Sequence, residues 1–125
     1  MRNALRMFGV IGFVLVATIA LAGPPDMVKI DQAANKKPGV EFNHKAHMER
    51  VESCDTCHHM DKGLTADSDL SKVQACSACH LKPEAADTPD MTQMSMKKNP
   101  FHMLCIDCHK TGGKGPTKCN DCHKK

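Results

Sequence analysis

The sequence predicts a small fold of mostly short α-helices and loops with a minor N-terminal two-stranded β element, organised around something other than an apolar core of its own. Three observations carry this. First, Cys-x-x-Cys-His occurs four times, as Cys54–His58, Cys76–His80, Cys105–His109 and Cys119–His123, and these repeats contain all eight cysteines. Second, the 125 residues include no Trp, no Tyr and only four Phe, two of which (Phe8 and Phe13) lie in an N-terminal leader. A domain with so few large apolar side chains is too poor to build an ordinary interior. Third, turn-forming residues interrupt every stretch of helical pattern, so no long element can form.

Met1 to Arg6 carries Arg2 and Arg6 and no acid, an apolar run follows from Met7 to Ala22, and Ala20-Leu21-Ala22 precedes Gly23-Pro24-Pro25. That order of charged, apolar and small residues is a secretory signal peptide. The run is shorter than the roughly 20 apolar residues of a spanning helix. Residues 1–22 are therefore expected to be cleaved, leaving 23–125 as one domain in the periplasm without stable membrane insertion.

In the mature part, Met27 to Ile30 and Val40 to Phe42 are expected to pair antiparallel around Asn35 to Gly39. His44 to Val51 reads as two helical turns with Asn43 as N-cap. Asp67 to Ala75 reads as a helix capped by Asp67 or Ser68, running into the second repeat. Leu81 to Pro89 is a loop, and Asp90 is expected to cap a helix from Met91 to Lys98 that Pro100 ends. Phe101 to Lys110 places the third repeat on a short helix. Thr111 to Pro116 is a turn-rich connector to the fourth.

Cys-x-x-Cys-His is the attachment pattern of a c-type haem. The two thiols form thioethers with the porphyrin vinyl groups, and the histidine is placed to reach the iron. Four repeats imply four haem c groups, whose flat apolar bodies would supply the missing interior. Cys54 and Cys57, Cys76 and Cys79, Cys105 and Cys108, and Cys119 and Cys122 are the attachment pairs, with His58, His80, His109 and His123 as proximal ligands. Four histidines remain, His44, His47, His59 and His102. One spare imidazole per iron is what bis-histidine coordination requires. The methionines Met27, Met48, Met60, Met91, Met94, Met96 and Met103 are expected to pack as flexible thioethers rather than to ligate.

Irons closed on both faces hold no open position for a substrate, which points to electron transfer rather than catalysis. Without methionine ligation the potentials lie on the low side. Removal of Arg2 and Arg6 leaves 15 basic against 14 acidic residues. Eight propionates make the charge of the loaded protein depend on redox state, so reduction is expected to raise the pKa of a nearby propionate. Two other classes fit the residues less well. A structural zinc protein could use paired thiols, but that leaves the histidine after each second cysteine and the export signal unexplained. A reductase of metal or inorganic ions needs an open axial site, against the histidine count.

Phe42-Asn43-His44-Lys45-Ala46-His47, followed by Cys54-Asp55-Thr56-Cys57-His58-His59, resembles the small tetrahaem cytochromes of the class III cytochrome c (cytochrome c3) family, over essentially all of the mature chain. The resemblance implies a small multihaem cytochrome that carries electrons in the periplasm, as in sulfate respiration. It pairs His44 with His58, His59 with His80, His47 with His109 and His102 with His123, one pair to each haem. His58 and His59 are adjacent and leave the backbone in different directions, and His44 and His47 share a helical side. The implied partners are redox proteins such as periplasmic hydrogenase and membrane-associated cytochrome complexes, and no nucleic acid is expected. In the family, lysines near the fourth haem guide docking to acidic surfaces, which falls here on Lys114, Lys118, Lys124 and Lys125, with Lys97, Lys98 and Lys110 nearby. Two departures stand out: all four repeats have two residues between the cysteines where many members have four in some, and His102 lies only three positions before Cys105. The close Phe-His-x-x-Cys-x-x-Cys-His arrangement also occurs in multihaem relatives that act as modules or in metal reduction.

Overall fold

The computed structural model describes residues 23–34 and 36–125. The expected signal peptide, residues 1–22, and Asn35 at the expected turn lie outside the described residues.

Strands β1 (Met27–Ile30) and β2 (Val40–Asn43) pair antiparallel, with Met27 opposite Asn43 and Ile30 opposite Val40. Val28, Ile30, Val40 and Phe42 are half-buried and alternate with exposed residues, so the pair has one covered face. At Gly39 a Cβ would lie 2.7 Å from the Asp31 side chain and 3.0 Å from the Ile30 carbonyl oxygen, so only glycine closes the hairpin this tightly. Helix α1 (His44–Met48) follows β2 directly. Its N-cap is Asn43, whose Oδ1 accepts from the Ala46 amide at 2.9 Å. The Lys45 amide donates to the Asp26 carbonyl at 3.1 Å, tying the helix to the start of β1.

The first repeat forms a 3-10 turn, Cys54–Thr56, capped by the Ser53 hydroxyl. The second carries helix α2 (Ser77–His80). In the third, residues 100–101 are helical and lead into a π-helix, His102–Ile106, and then helix α3 (Asp107–Thr111). The fourth carries α4 (Cys119–Cys122). Gly112 ends α3, and the connector then turns through Gly113 and Gly115, both at positive φ.

Two expected helices are absent. Asp67 to Ala75 contains only a 3-10 turn, Leu70–Lys72, capped by Asp69 rather than by Asp67 or Ser68. The Ser68 hydroxyl instead accepts from the Thr65 amide at 2.9 Å, behind it in sequence. Asp69 takes both the Ser71 amide and the Ser71 hydroxyl. Residues 91–98 form turns, although Asp90 does act as a local cap, accepting from the Thr92 amide at 2.8 Å. The Ser95 hydroxyl accepts from the Lys97 amide. Short polar side chains here satisfy their own backbone and compete with the helical ladder. The Asp90 amide donates to the Lys98 carbonyl at 2.9 Å, so the segment closes into a loop, and the Met91 amide donates to the His80 carbonyl at 2.9 Å. Pro100 accordingly opens the following helix instead of ending a preceding one.

The described polypeptide has almost no core of its own. Among the described residues Met91 is the one buried hydrophobic side chain and Asn99 the one buried polar residue. Asn99 is fully used: its Nδ2 donates to the Met91 and Gln93 carbonyls, and its Oδ1 accepts from the Phe101 and His102 amides. It therefore fastens the 90–98 loop to the helix that carries His102.

Candidate functional site

Three of the repeats share one local geometry. The amide of the repeat's histidine donates to the carbonyl of its first cysteine, at 2.9 Å for His58 to Cys54, 3.0 Å for His80 to Cys76 and 2.9 Å for His123 to Cys119. Each is thus one helical turn. Residues three and four apart lie on the same side of such a turn, which brings two thiols and an imidazole to one place.

The eight cysteines are free thiols in the polypeptide, and four of them are raised in pKa. Burial pushes the Cys105 thiol up to about 11, with the neighbouring thiols of Cys57, Cys122, Cys108 and Cys76 adding to it. Burial likewise raises Cys57, Cys76 and Cys122. As neutral thiols they are weak nucleophiles.

The histidines come together in four pairs. Ring centroids lie 6.2 Å apart for His44 and His58, 6.0 Å for His59 and His80, 6.0 Å for His47 and His109, and 6.3 Å for His102 and His123. The rings stand nearly perpendicular in the first and last pairs (both 86°) and are tilted by 52° and 38° in the other two. These are the four pairs to which the family resemblance gives one iron each. A metal binds imidazole nitrogen at about 2 Å, and the ring centre lies about 1 Å behind that nitrogen, so two imidazoles in line across one iron have centroids about 6 Å apart.

Ring orientation is held by backbone carbonyls. The Nδ1 atoms of His44, His80, His109 and His123 donate to the carbonyls of Pro25, Pro89, Pro116 and Pro38, at 3.0, 2.7, 2.7 and 2.6 Å. That of His47 donates to the Asn43 carbonyl at 2.7 Å. A carbonyl can only accept, so Nδ1 carries the proton and Nε2 keeps the lone pair for a metal. Phe42 backs His47, with ring centroids 4.4 Å apart. His102 Nδ1 is buried without a partner. No acceptor for Nδ1 of His58 or His59 is found among the described residues.

The π-helix explains how His102 and His109 come to face different partners. In a regular helix residues seven apart lie on nearly the same face. The wider turn over His102–Ile106 rotates His102 away from the face of His109, toward His123.

The donor set fits haem c. Among the described residues no group of three or more His, Cys, Asp or Glu could hold a metal ion. What the chain gathers is imidazole pairs, which suit a metal whose other four ligands come with the porphyrin, whereas a structural zinc needs four from the protein.

Sequence reasoning missed Asn99, the proline carbonyls and Gly115. The one available signal is a proline nine residues after His80 and seven after His109. At Gly115 a Cβ would lie 2.7 Å from Cδ2 of His109. Of the expected docking residues, Lys114, Lys118, Lys124 and Lys125 are all exposed. Lys125 and Lys37, which comes from the hairpin, line a cavity of about 340 Å³ beside His123 with Pro38 and Asn120.

Among the described residues no helix is long and apolar enough to cross a membrane. The family model described as the class III cytochrome C family matches residues 21–123. Cytochrome c3 of Desulfovibrio desulfuricans is 38% identical over 106 residues, covering 82% of this chain and 96% of that protein. Cytochrome c3 of Maridesulfovibrio salexigens is 37% identical over 111 residues, covering 82% and 95%. Cytochrome c7 of Geobacter metallireducens is 31% identical over 90 residues, covering 72% and 69%.

Proposed function

The chain belongs to the class III cytochrome c family, an electron-transfer family that binds haem c, and from that premise we propose that it is a periplasmic low-potential carrier with four haems. Each haem is attached through one cysteine pair: Cys54 and Cys57, Cys76 and Cys79, Cys105 and Cys108, Cys119 and Cys122. Each iron lies between the imidazoles of one histidine pair. The single observation that carries this reading is the set of four imidazole pairs with centroids 6.0 to 6.3 Å apart.

When bound, haem c supplies reversible one-electron storage. The chain's own residues do the rest. Carbonyl-anchored Nδ1 protons aim Nε2 of five histidines, and both imidazoles of each pair would hold the iron of a bound haem. A closed position admits no substrate, which favours the carrier over a reductase of metal or inorganic ions. Adjacent His58 and His59 serve different pairs, as do His44 and His47, so three of the four sites are linked through short stretches of backbone. Propionates on the bound haems would shift in pKa with redox state, which would couple the electrons to protons.

Partner choice follows from the exposed lysines around the fourth repeat. Steering by such a patch acts on association rate more than on affinity. Replacing Lys114, Lys118, Lys124 and Lys125 with Glu is expected to slow reduction by a periplasmic hydrogenase, most strongly at low salt. An unchanged rate sinks this assignment of the docking face.

The reading as a whole is tested by intact mass and a reduced-minus-oxidised spectrum of the exported protein. Expected are a chain beginning at Gly23, four covalent haems and only low-spin iron. Fewer haems, or a high-spin band in the oxidised protein, overturns it.

A further inference from the structure

The four imidazole pairs differ in how many of their Nδ1 protons are held. Among the described residues, His44 is anchored and His58 is not; His80 is anchored and His59 is not; His123 is anchored, while His102 Nδ1 is buried without a partner. In the remaining pair both rings are anchored, His47 to the Asn43 carbonyl and His109 to the Pro116 carbonyl, each at 2.7 Å. An imidazole that donates Nδ1–H to a carbonyl is a more basic ligand through Nε2. A more basic ligand favours ferric over ferrous iron and lowers the potential.

The same pair is also the most closely buttressed. Phe42 lies against His47. On the other side the connector after α3 presses its backbone onto His109. At Gly115, with φ +97°, a Cβ would stand 2.7 Å from Cδ2 and 2.9 Å from Cγ and Nε2 of that ring. Gly115 lies one residue before the carbonyl that takes the Nδ1 proton. The glycine lets the chain pass flat over the imidazole and presents the Pro116 oxygen to it. Gly113 in the same connector also has positive φ (+64°), but a Cβ there meets nothing within 4 Å.

We propose that the haem between His47 and His109 has the lowest potential of the four, set by its two anchored imidazoles, and that Gly115 is the positioning residue that maintains the His109 anchor. This rests on the bis-imidazole reading above. The haem held by His47 and His109 is then the last to be reduced. The site that contains the unpartnered His102 lacks one of the two donations that lower it.

The test follows the haem-methyl resonances of the four-haem protein by NMR through stepwise reduction, assigning the haem by its contacts to Cys105, Cys108 and Phe42. In the wild type this haem is expected to be reduced last. Gly115→Ala, which forces the His109 ring or the Pro116 carbonyl aside, is expected to raise that haem's reduced-to-oxidised ratio about tenfold at fixed potential, about 59 mV for one electron. The other three haems are expected to move by far less. Gly113→Ala also puts a side chain at a positive φ, without touching the ring, and is expected to leave the order unchanged. A wild-type protein in which this low-spin haem is reduced ahead of any other overturns the assignment of potential. Equal shifts from Gly115→Ala and Gly113→Ala overturn the role of Gly115. A high-spin iron at this site overturns the bis-imidazole reading itself, and the inference with it.

Discussion

Asn99 is the residue whose loss is expected to cost this domain most for its size. It is 7% exposed and makes four hydrogen bonds: two from Nδ2 to the Met91 and Gln93 carbonyls (2.8 and 2.9 Å), and two to Oδ1 from the Phe101 and His102 amides (3.0 and 3.3 Å). Asn99→Ala removes a helix cap worth about 1 kcal/mol. It also leaves two carbonyls without donors, at about 1 kcal/mol each. The expected loss is about 3 kcal/mol, against a total stability for small domains of about 5–15 kcal/mol. Asn99→Ser keeps a capping oxygen but not the bridge to the loop, so about 2 kcal/mol is expected from it. Urea unfolding followed by the Soret band reads this out, because on the proposed reading covalent haems would stay attached while the imidazole pairs separate. The site of His102 and His123 is expected to open first, since the His102 amide is one of the donors left without its acceptor. Losses below about 0.5 kcal/mol in both variants would refute the reasoning, as would identical large losses, because the cap and the bridge would then not be separable contributions.

Other outcomes follow from the same geometry. His102→Ala removes one imidazole from one pair, so the reduced variant is expected to bind carbon monoxide at one haem in four; wild-type binding, or binding at several haems, contradicts the pairing. Perpendicular axial rings leave the iron orbitals they overlap nearly equal in energy, so the two pairs at 86° are expected to give strongly anisotropic low-spin resonances and the pairs at 38° and 52° less anisotropic ones. Four identical resonances in the oxidised protein count against these ring orientations. The Asp90 carboxyl is held below its ordinary pKa by hydrogen bonds from the Thr92 hydroxyl, the Gln93 amide group and the Thr92 backbone amide. A lowered folded-state pKa gives stability that is present above the unfolded value and lost as pH falls through the folded one. Asp90→Asn is therefore expected to flatten the loss of stability below about pH 4; an unchanged acid slope excludes this contribution.

Legibility from sequence varied with how local each feature is. The β hairpin and the Asn43 cap were readable because a strand period, a turn and a capping side chain are properties of neighbouring residues. The segments 67–75 and 91–98 have a helical pattern but form no α-helix. Both carry helix-compatible residues, but Asp69, Ser95 and Asp90 bond their own nearby backbone, and the 90–98 loop is closed by contacts to Lys98, His80 and Asn99. Those partners lie outside any local pattern. The π-turn at His102 was equally invisible, since nothing in His102 to Ile106 distinguishes it from an ordinary helical turn.

By itself the sequence determined the chemistry available: four thiol pairs, each followed by an imidazole, four further imidazoles, and too few large side chains to fill an interior without added groups. These are counts and short spacings, which no folding can change. Only the tertiary structure decided how each imidazole ring is held. The His123 Nδ1 finds the Pro38 carbonyl 85 residues away in the hairpin loop, and Gly115 passes over His109 through a connector whose path no spacing dictates. Backbone carbonyls are alike in every residue, so which one receives a proton depends on where the chain is carried in space.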